Sequence, residues 1–285
     1  MNSALRERTL KMRKLIALPA ISMLALLAAC GGGTEAQQTA APAEVAAAAA
    51  TINSSEDATA AYADILSAYI ENVDGINFFA YGKVTSADQA KLRAYVAYLE
   101  TSGVEGLSRD EQMAFWYNLY NAKTIEVILE NYPVESIRSI GSLVNRGPWD
   151  KKNMTVTGFG EMSLNDIEHG TLRANWDEPR IHYAVNCASF GCPNLKATPW
   201  TAANLEADME QAASDYINHP RGFRVESGKI TASSIFNWYK VDFGDTDAGV
   251  LAHACKYAKG DLKTALDAAT KINKFDYNWN LNEQG

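Results

Sequence analysis

Between residues 57 and 73 apolar side chains return every three or four positions, at Ala58, Ala61, Tyr62, Ile65, Leu66, Tyr69 and Val73, with polar residues between them. That period predicts a helix with one buried stripe. A second helix is predicted after Thr85, with Asp88 as its capping partner, through Leu92, Tyr95, Val96 and Leu99 to a stop at Gly103. Ser108 and Glu111 make a capping box for a third, "EQMAFWYNLYNAKTIEVILENYP", which stays apolar on nearly all sides until Pro133. A helix of that kind belongs at the centre of a fold. Asn118 and Asn121 share a face of it, and helix interiors give asparagine no intrinsic advantage. Once buried, each amide needs partners, either loop backbone or a polar site.

The second half turns towards strands. "NMTVTGFGEMS" reads as a hairpin around Gly158 and Gly160, and Ser163 with Asp166 caps a short helix, "LNDIEHGTLRANW". Residues 180–186 read as a strand, followed by a loop to Pro199 and a helix from about 201 to 218. "HPRG" breaks the chain before a hairpin, "FRVESGKITASSIF", that turns at Ser227 and Gly228. Two further helical segments and an aromatic tail, "FDYNWNLN", complete the chain, and no internal repeat is visible. Helices first and strands later, without regular alternation, predict an α+β fold: a helical N-terminal half packed on a mostly antiparallel sheet from the C-terminal half.

The N-terminus follows a different pattern. Arg6, Arg8, Lys11, Arg13 and Lys14 precede the apolar run "LIALPAISMLALLAAC", too short for a comfortable membrane span and typical of a signal peptide over residues 1–29. "LAAC" at 27–30 resembles the lipobox of bacterial lipoproteins, which makes Cys30 the expected lipidation site. Gly31 after it implies an outer-membrane, periplasm-facing destination. Residues 31–56 are rich in Ala, Gly, Thr, Gln and Pro and are expected to form a flexible tether, with a short Ala-rich helix near 43–50. Residues 57–285 then form one domain.

Charge narrows the partners. The whole chain carries −8, and removing the first thirty residues takes it to about −12. Without a basic patch no counterion-release term supports nucleic-acid binding. The expected partners are the membrane, through the anchor, and an envelope substrate or protein. No cofactor is indicated.

The chemistry concentrates in "RIHYAVNCASFGCPNL", residues 180–195. Strand parity would place Arg180, His182, Ala184 and Asn186 on one face. In the preceding helix Asp166, His169 and Arg173 fall three and four apart, with Glu168 beside them. Either these residues form a polar cluster for catalysis or a salt-bridge network that fixes the helix. Cys187 ends the strand, where loops present reactive groups. As a nucleophile it would take His182 or His169 as base, Glu168 to orient the imidazole, and Asn118 or Arg180 to stabilise developing negative charge. The competing reading closes Cys187 to Cys192 as a structural disulfide, and a zinc site through His169, His182 and the two cysteines is a third. Cys255, in a helical pattern, is expected to be a buried core thiol. His219 and His253 have no company that suggests chemistry.

Four blocks, "FWYNLYNAKTI" at 115–125, "LNDIEHGTLR" at 164–173, "RIHYAVNCASFGCPNL" at 180–195 and "IFNWYKVDFG" at 235–244, resemble domain-of-unknown-function family 547. The resemblance brings no established reaction. It implies that the cysteine pair also occurs in intracellular relatives, where a purely structural disulfide is disfavoured. A weaker similarity, to papain and transglutaminase-like architecture, implies a long central helix on an antiparallel sheet that carries a histidine. In that architecture the nucleophilic cysteine opens the helix, whereas here Cys187 follows His182.

Overall fold

The computed structural model describes residues 40–141 and 147–284. The expected signal peptide, the Cys30 anchor and residues 31–39 of the tether lie outside them. Among the described residues no helix is long and apolar enough to cross a membrane. Within the expected tether, α1 (Pro42–Ala49) is helical, Ala40 before it is buried, and α1 packs on α3 (Ser86–Ser102).

Before α3 come α2 (Ser55–Tyr69) and the hairpin of β1 (Ile70–Val73) with β2 (Ile76–Phe79). The helical stripe expected to run to Val73 therefore stops at Tyr69. Asp74 and Gly75 both take positive φ (52° and 81°), and an Asp-Gly turn of that hand pairs the flanking residues as strands. The caps of α3 and of α4 (Arg109–Asn131) form as the sequence reads. Thr85 accepts from the Asp88 amide, Gly103 closes α3 at φ 63°, and Ser108 and Glu111 cap each other's backbone. Every side chain of α4 from Met113 to Leu129 is buried. Asn118 and Asn121 are satisfied by loop backbone: Asn118 bonds both the carbonyl and the amide of Trp200, and Asn121 takes the Ala184 carbonyl and the Asn186 amide.

β3 (Met154–Val156) and β4 (Gly160–Met162) make the second hairpin. A π-helical stretch, Asp166–Leu172, leads into α5 (Arg173–Asn175), and α6 (Ile181–Ala184) follows. The strand expected at 180–186 is thus a helical turn with an extended exit. Ile181, His182 and Tyr183 donate their amides to Glu178, Pro179 and Arg180, and a short apolar run does not by itself distinguish helix from strand. α7 (Leu205–Asn218) buries Leu205, Met209, Ala213, Tyr216 and Ile217. β5 (Phe223–Glu226) and β6 (Lys229–Ser233) turn at Ser227 and Gly228, both of positive φ. Then come α8 (Ile235–Trp238), α9 (Asp247–Tyr257), α10 (Gly260–Asp267) and β7 (Lys274–Asp276), which pairs parallel to β6. The fold is α+β, and among the described residues the strands lie in three small sheets rather than one.

Two hydrophobic clusters make the core, one around α4 and one around Tyr216, Phe236 and Phe243. Residues 181–185 straddle them: Ile181, Ala184 and Val185 belong to the first, Tyr183 to the second. Cys255 departs from expectation, being only half-buried; burial, and then its hydrogen bond with Asp267, raise its thiol pKa.

Two measurements test this packing. Asn121→Ala leaves a buried carbonyl and a buried amide unpaired, and should lower unfolding free energy by about 2–4 kcal/mol in urea titrations. His253 Nε2 shares a hydrogen bond with the Tyr183 hydroxyl at 2.9 Å in the second cluster, and burial, with Lys256 nearby, depresses its pKa to about 4. The unfolded chain takes up that proton below its ordinary value of 6.5, so this contribution is complete above pH 6.5 and fades towards pH 4. Between pH 7.5 and 4.5 the wild type should lose roughly 2 kcal/mol more than His253→Gln, a comparison in which carboxylate contributions common to both cancel.

Candidate functional site

The segment from Asn186 to Pro193 is largely buried yet belongs to no helix or strand, so its backbone groups must be met by other means. Asn186 supplies several: its Oδ1 accepts the Ala188 amide at 2.8 Å and its Nδ2 donates to the Pro193 carbonyl at 2.7 Å. The C-terminal tail supplies more, with the Phe190 and Gly191 amides donating to Asn280 and Asn278 and the Asn282 amide to Ala188. A side chain at Gly191 would meet the Asn278 backbone at 2.9 Å, so only glycine lets the tail approach. Arg221 donates to the Phe190 and Cys192 carbonyls, and Tyr216 to that of Gly191. Ala188 is held at φ 58°, a conformation that costs free energy in a non-glycine residue and is common at functional sites.

This loop presents Cys187 and Cys192 to a cavity of about 250 Å³. Both thiols are free: the buried Cys192 Sγ accepts from the Cys187 amide at 3.1 Å and from the Tyr277 hydroxyl at 3.1 Å. The half-buried Cys187 Sγ lies 3.3 Å from both the Ser189 and the Tyr277 hydroxyl oxygens. Hydrogen bonding from Cys192, then from Ser189 and Tyr277, lowers the Cys187 pKa, against burial and the Glu168 carboxylate, which raise it. Burial pushes Cys192 well above its ordinary value. The pair is therefore unequal, with Cys187 the more acidic and more accessible sulfur.

His182 and Glu168 line the same cavity. The imidazole Nε2 is 2.6 Å from Asp242 Oδ2, its ring stacks on Tyr239 at 4.0 Å, and its Nδ1 faces Glu168 Oε1 at 3.8 Å. Asp242 is also clamped by Arg173 through two hydrogen bonds. Burial would raise the Asp242 pKa, but His182 and Arg173 hold its carboxyl far below the ordinary range. The π-helical stretch explains the grouping. Its i to i+5 hydrogen bond, Arg173 amide to Glu168 carbonyl, brings residues five apart into line, whereas an α-helix aligns those three or four apart.

The structure thus brings together Cys187, His182 and Glu168 and sets three other candidates aside. His169 is outside the cavity lining, its Nδ1 3.2 Å from Arg173. Asn118 is committed to the Trp200 backbone, leaving none of its polar ends for a substrate. Arg180 is held by Glu178, Glu206 and Glu210 away from the cavity. Asp242, not Glu168, fixes the imidazole. Among the described residues no group of three or more His, Cys, Asp or Glu is arranged to hold a metal ion.

Sequence reasoning missed Asp242, Tyr239, Tyr277 and the tryptophans Trp149, Trp238 and Trp279 that wall the cavity. Asp242 and Tyr239 stand inside the block 235–244, and Tyr277 and Trp279 in the aromatic tail, so composition marked both segments without linking them to Cys187.

No curated protein and no solved structure matches the chain. Residues 104–217 match the family model described as "Protein of unknown function, DUF547". That stretch contains α4, the π-helical segment and the cysteine loop, and so supports the DUF547 resemblance carried by the blocks at 115–125, 164–173 and 180–195.

Proposed function

We propose that the protein is a thiol-dependent hydrolase or transferase acting on acyl or peptide bonds of the cell envelope, held at the periplasmic face of the outer membrane by lipid on Cys30. The observation that carries this reading is the unequal thiol pair in a cavity it shares with Glu168 and His182. In the proposed reaction the Cys187 thiolate attacks a carbonyl carbon, forming a C–S bond and breaking the bond to the leaving group. His182, oriented through Nε2 by Asp242, takes the thiol proton on Nδ1 and returns it to the leaving group. Water or an amine then releases the acyl group and regenerates the thiol. Asp242 takes the orienting duty that the sequence suggested for Glu168, and Glu168 lines the cavity beside the reactants. The rival is a non-catalytic binding or scaffold lipoprotein stapled by a Cys187–Cys192 disulfide, favoured by the direct contact of the two thiols.

Alkylation with iodoacetamide followed by mass spectrometry of periplasmic protein decides between them. At pH 7.5 Cys187 should label several-fold faster than Cys255, because hydrogen bonding from Cys192 lowers the pKa of the first thiol while burial and Asp267 raise that of the second. Tyr277→Phe removes a hydroxyl partner of the sulfur and should slow Cys187 several-fold. A 187–192 bridge that blocks labelling until reductant is added would favour the scaffold and overturn the catalytic assignment.

A further inference from the structure

The lining of the cavity is aromatic and acidic. Tyr239, Tyr277, Trp149, Trp238 and Trp279 form much of its wall, Glu168 and Asp150 are its carboxylates, and no lysine or arginine is among the lining residues described. Tyr277, Trp238 and Trp279 sit with ring centroids 4.6 to 5.4 Å apart, tilted against each other. Trp149 meets Trp279 edge-on at 5.9 Å. Trp238 remains 46% exposed, an uncovered indole at the mouth.

Glu168 is the unusual member. It is only 5% exposed, yet its partners are the Tyr120 hydroxyl at 3.3 Å, the Tyr239 hydroxyl and the imidazole nitrogen at 3.8 Å. The Arg173 guanidinium, which feels the Glu168 charge, is hydrogen-bonded to Asp242 and lies over the Tyr239 ring at 5.0 Å, and Arg138 lies over the Trp279 ring at 5.0 Å. A carboxylate withdrawn from water is stable when a cation pairs with it, and among the described residues Glu168 has His182 at 3.8 Å but no lysine or arginine within ion-pair distance. Ring faces are the other group of an apolar wall that attracts positive charge.

From these two features together, the aromatic wall and the buried carboxylate without a lysine or arginine at ion-pair distance, we infer that the cavity binds an organic ammonium group. The ammonium sits against Glu168 with its alkyl portion on the tryptophans. The substrate class is then an amine-bearing acyl compound or peptide, whose cationic end is the recognised element, while anionic substrates are repelled by Glu168 and Asp150. This deepens the thiol reading by naming what enters beside Cys187; it rests on that reading for the chemistry but not for the binding.

The test uses intrinsic tryptophan fluorescence of the full chain carrying Cys187→Ser, titrated at constant ionic strength with n-butylammonium, n-butanol and butyrate. Because the Cys187 thiol takes no part, failure here is separate from failure of the labelling experiment. The ammonium should bind at least about tenfold tighter than the alcohol, a margin of about one charge-assisted contact, and butyrate should bind weakest. Glu168→Gln should bring ammonium and alcohol to within about threefold of each other, as the loss of that contact requires. Trp238→Leu, an exposed change that leaves the core intact, should weaken the ammonium several-fold and locate the signal in this cavity. Equal affinity for ammonium and alcohol, tighter binding of butyrate, or an ammonium preference untouched by either substitution would overturn the assignment.

Discussion

A buried segment without regular structure can exist only if something else satisfies its backbone, and that requirement organises this molecule. Residues 186–193 meet it with groups drawn from the whole chain: Asn121 from α4, Tyr216 and Arg221 from the region of α7 and β5, Asn186 from within, and backbone of residues 278–282. Each of those groups must itself be fixed. Asn121 is fixed because α4 is buried over most of its length, so the helix that reads as most apolar is also the one that positions the most polar loop. Arg221 keeps its charge while burial lowers its pKa, since its donors go to carbonyls, Asn194 and His219 rather than to a carboxylate.

The same logic places the imidazole. A four-residue helical turn that faces two hydrophobic clusters must distribute its side chains between them, which leaves His182 on the line where they meet. Asp242 and Arg173 close one side of it and Glu168 the other. The π-helical stretch contributes to this: with the Arg173 amide bonded to the Glu168 carbonyl, two residues five apart in sequence reach the same imidazole environment, one on either side of it. Wide turns of this sort cost regular hydrogen bonding and persist where a fold needs the resulting aim.

Much of the scaffold was legible from local rules. Ser108 with Glu111, Thr85 with Gly103, and the turns at Gly158 and at Ser227–Gly228 all act where their chemistry implies. The errors came where a local pattern admitted two answers. Ile70–Val73 continues the stripe of α2 but is claimed by the Asp74–Gly75 turn, and "IHYAV" alternates well enough for a strand although Pro179 and Arg180 open a helical turn. For the site, Cys187, His182 and Glu168 were visible as chemistry. Their partners were not, because Asp242 lies 60 residues from His182 and Tyr277 lies 90 from Cys187, distances that only tertiary packing closes.

The two halves of the site also constrain each other electrostatically. Hydrogen bonding to Cys187 from Cys192, Ser189 and Tyr277 favours thiolate, while the negative charge of Glu168 opposes it. An organic cation seated against Glu168 would cancel that opposition, so binding of the amine and ionisation of the thiol would assist one another by the same free energy in either order. Such coupling would make the sulfur more readily ionised when a cationic ligand is seated than when it is not. An acidic wall beside a nucleophilic sulfur, unfavourable in isolation, then becomes a means of selecting substrate charge.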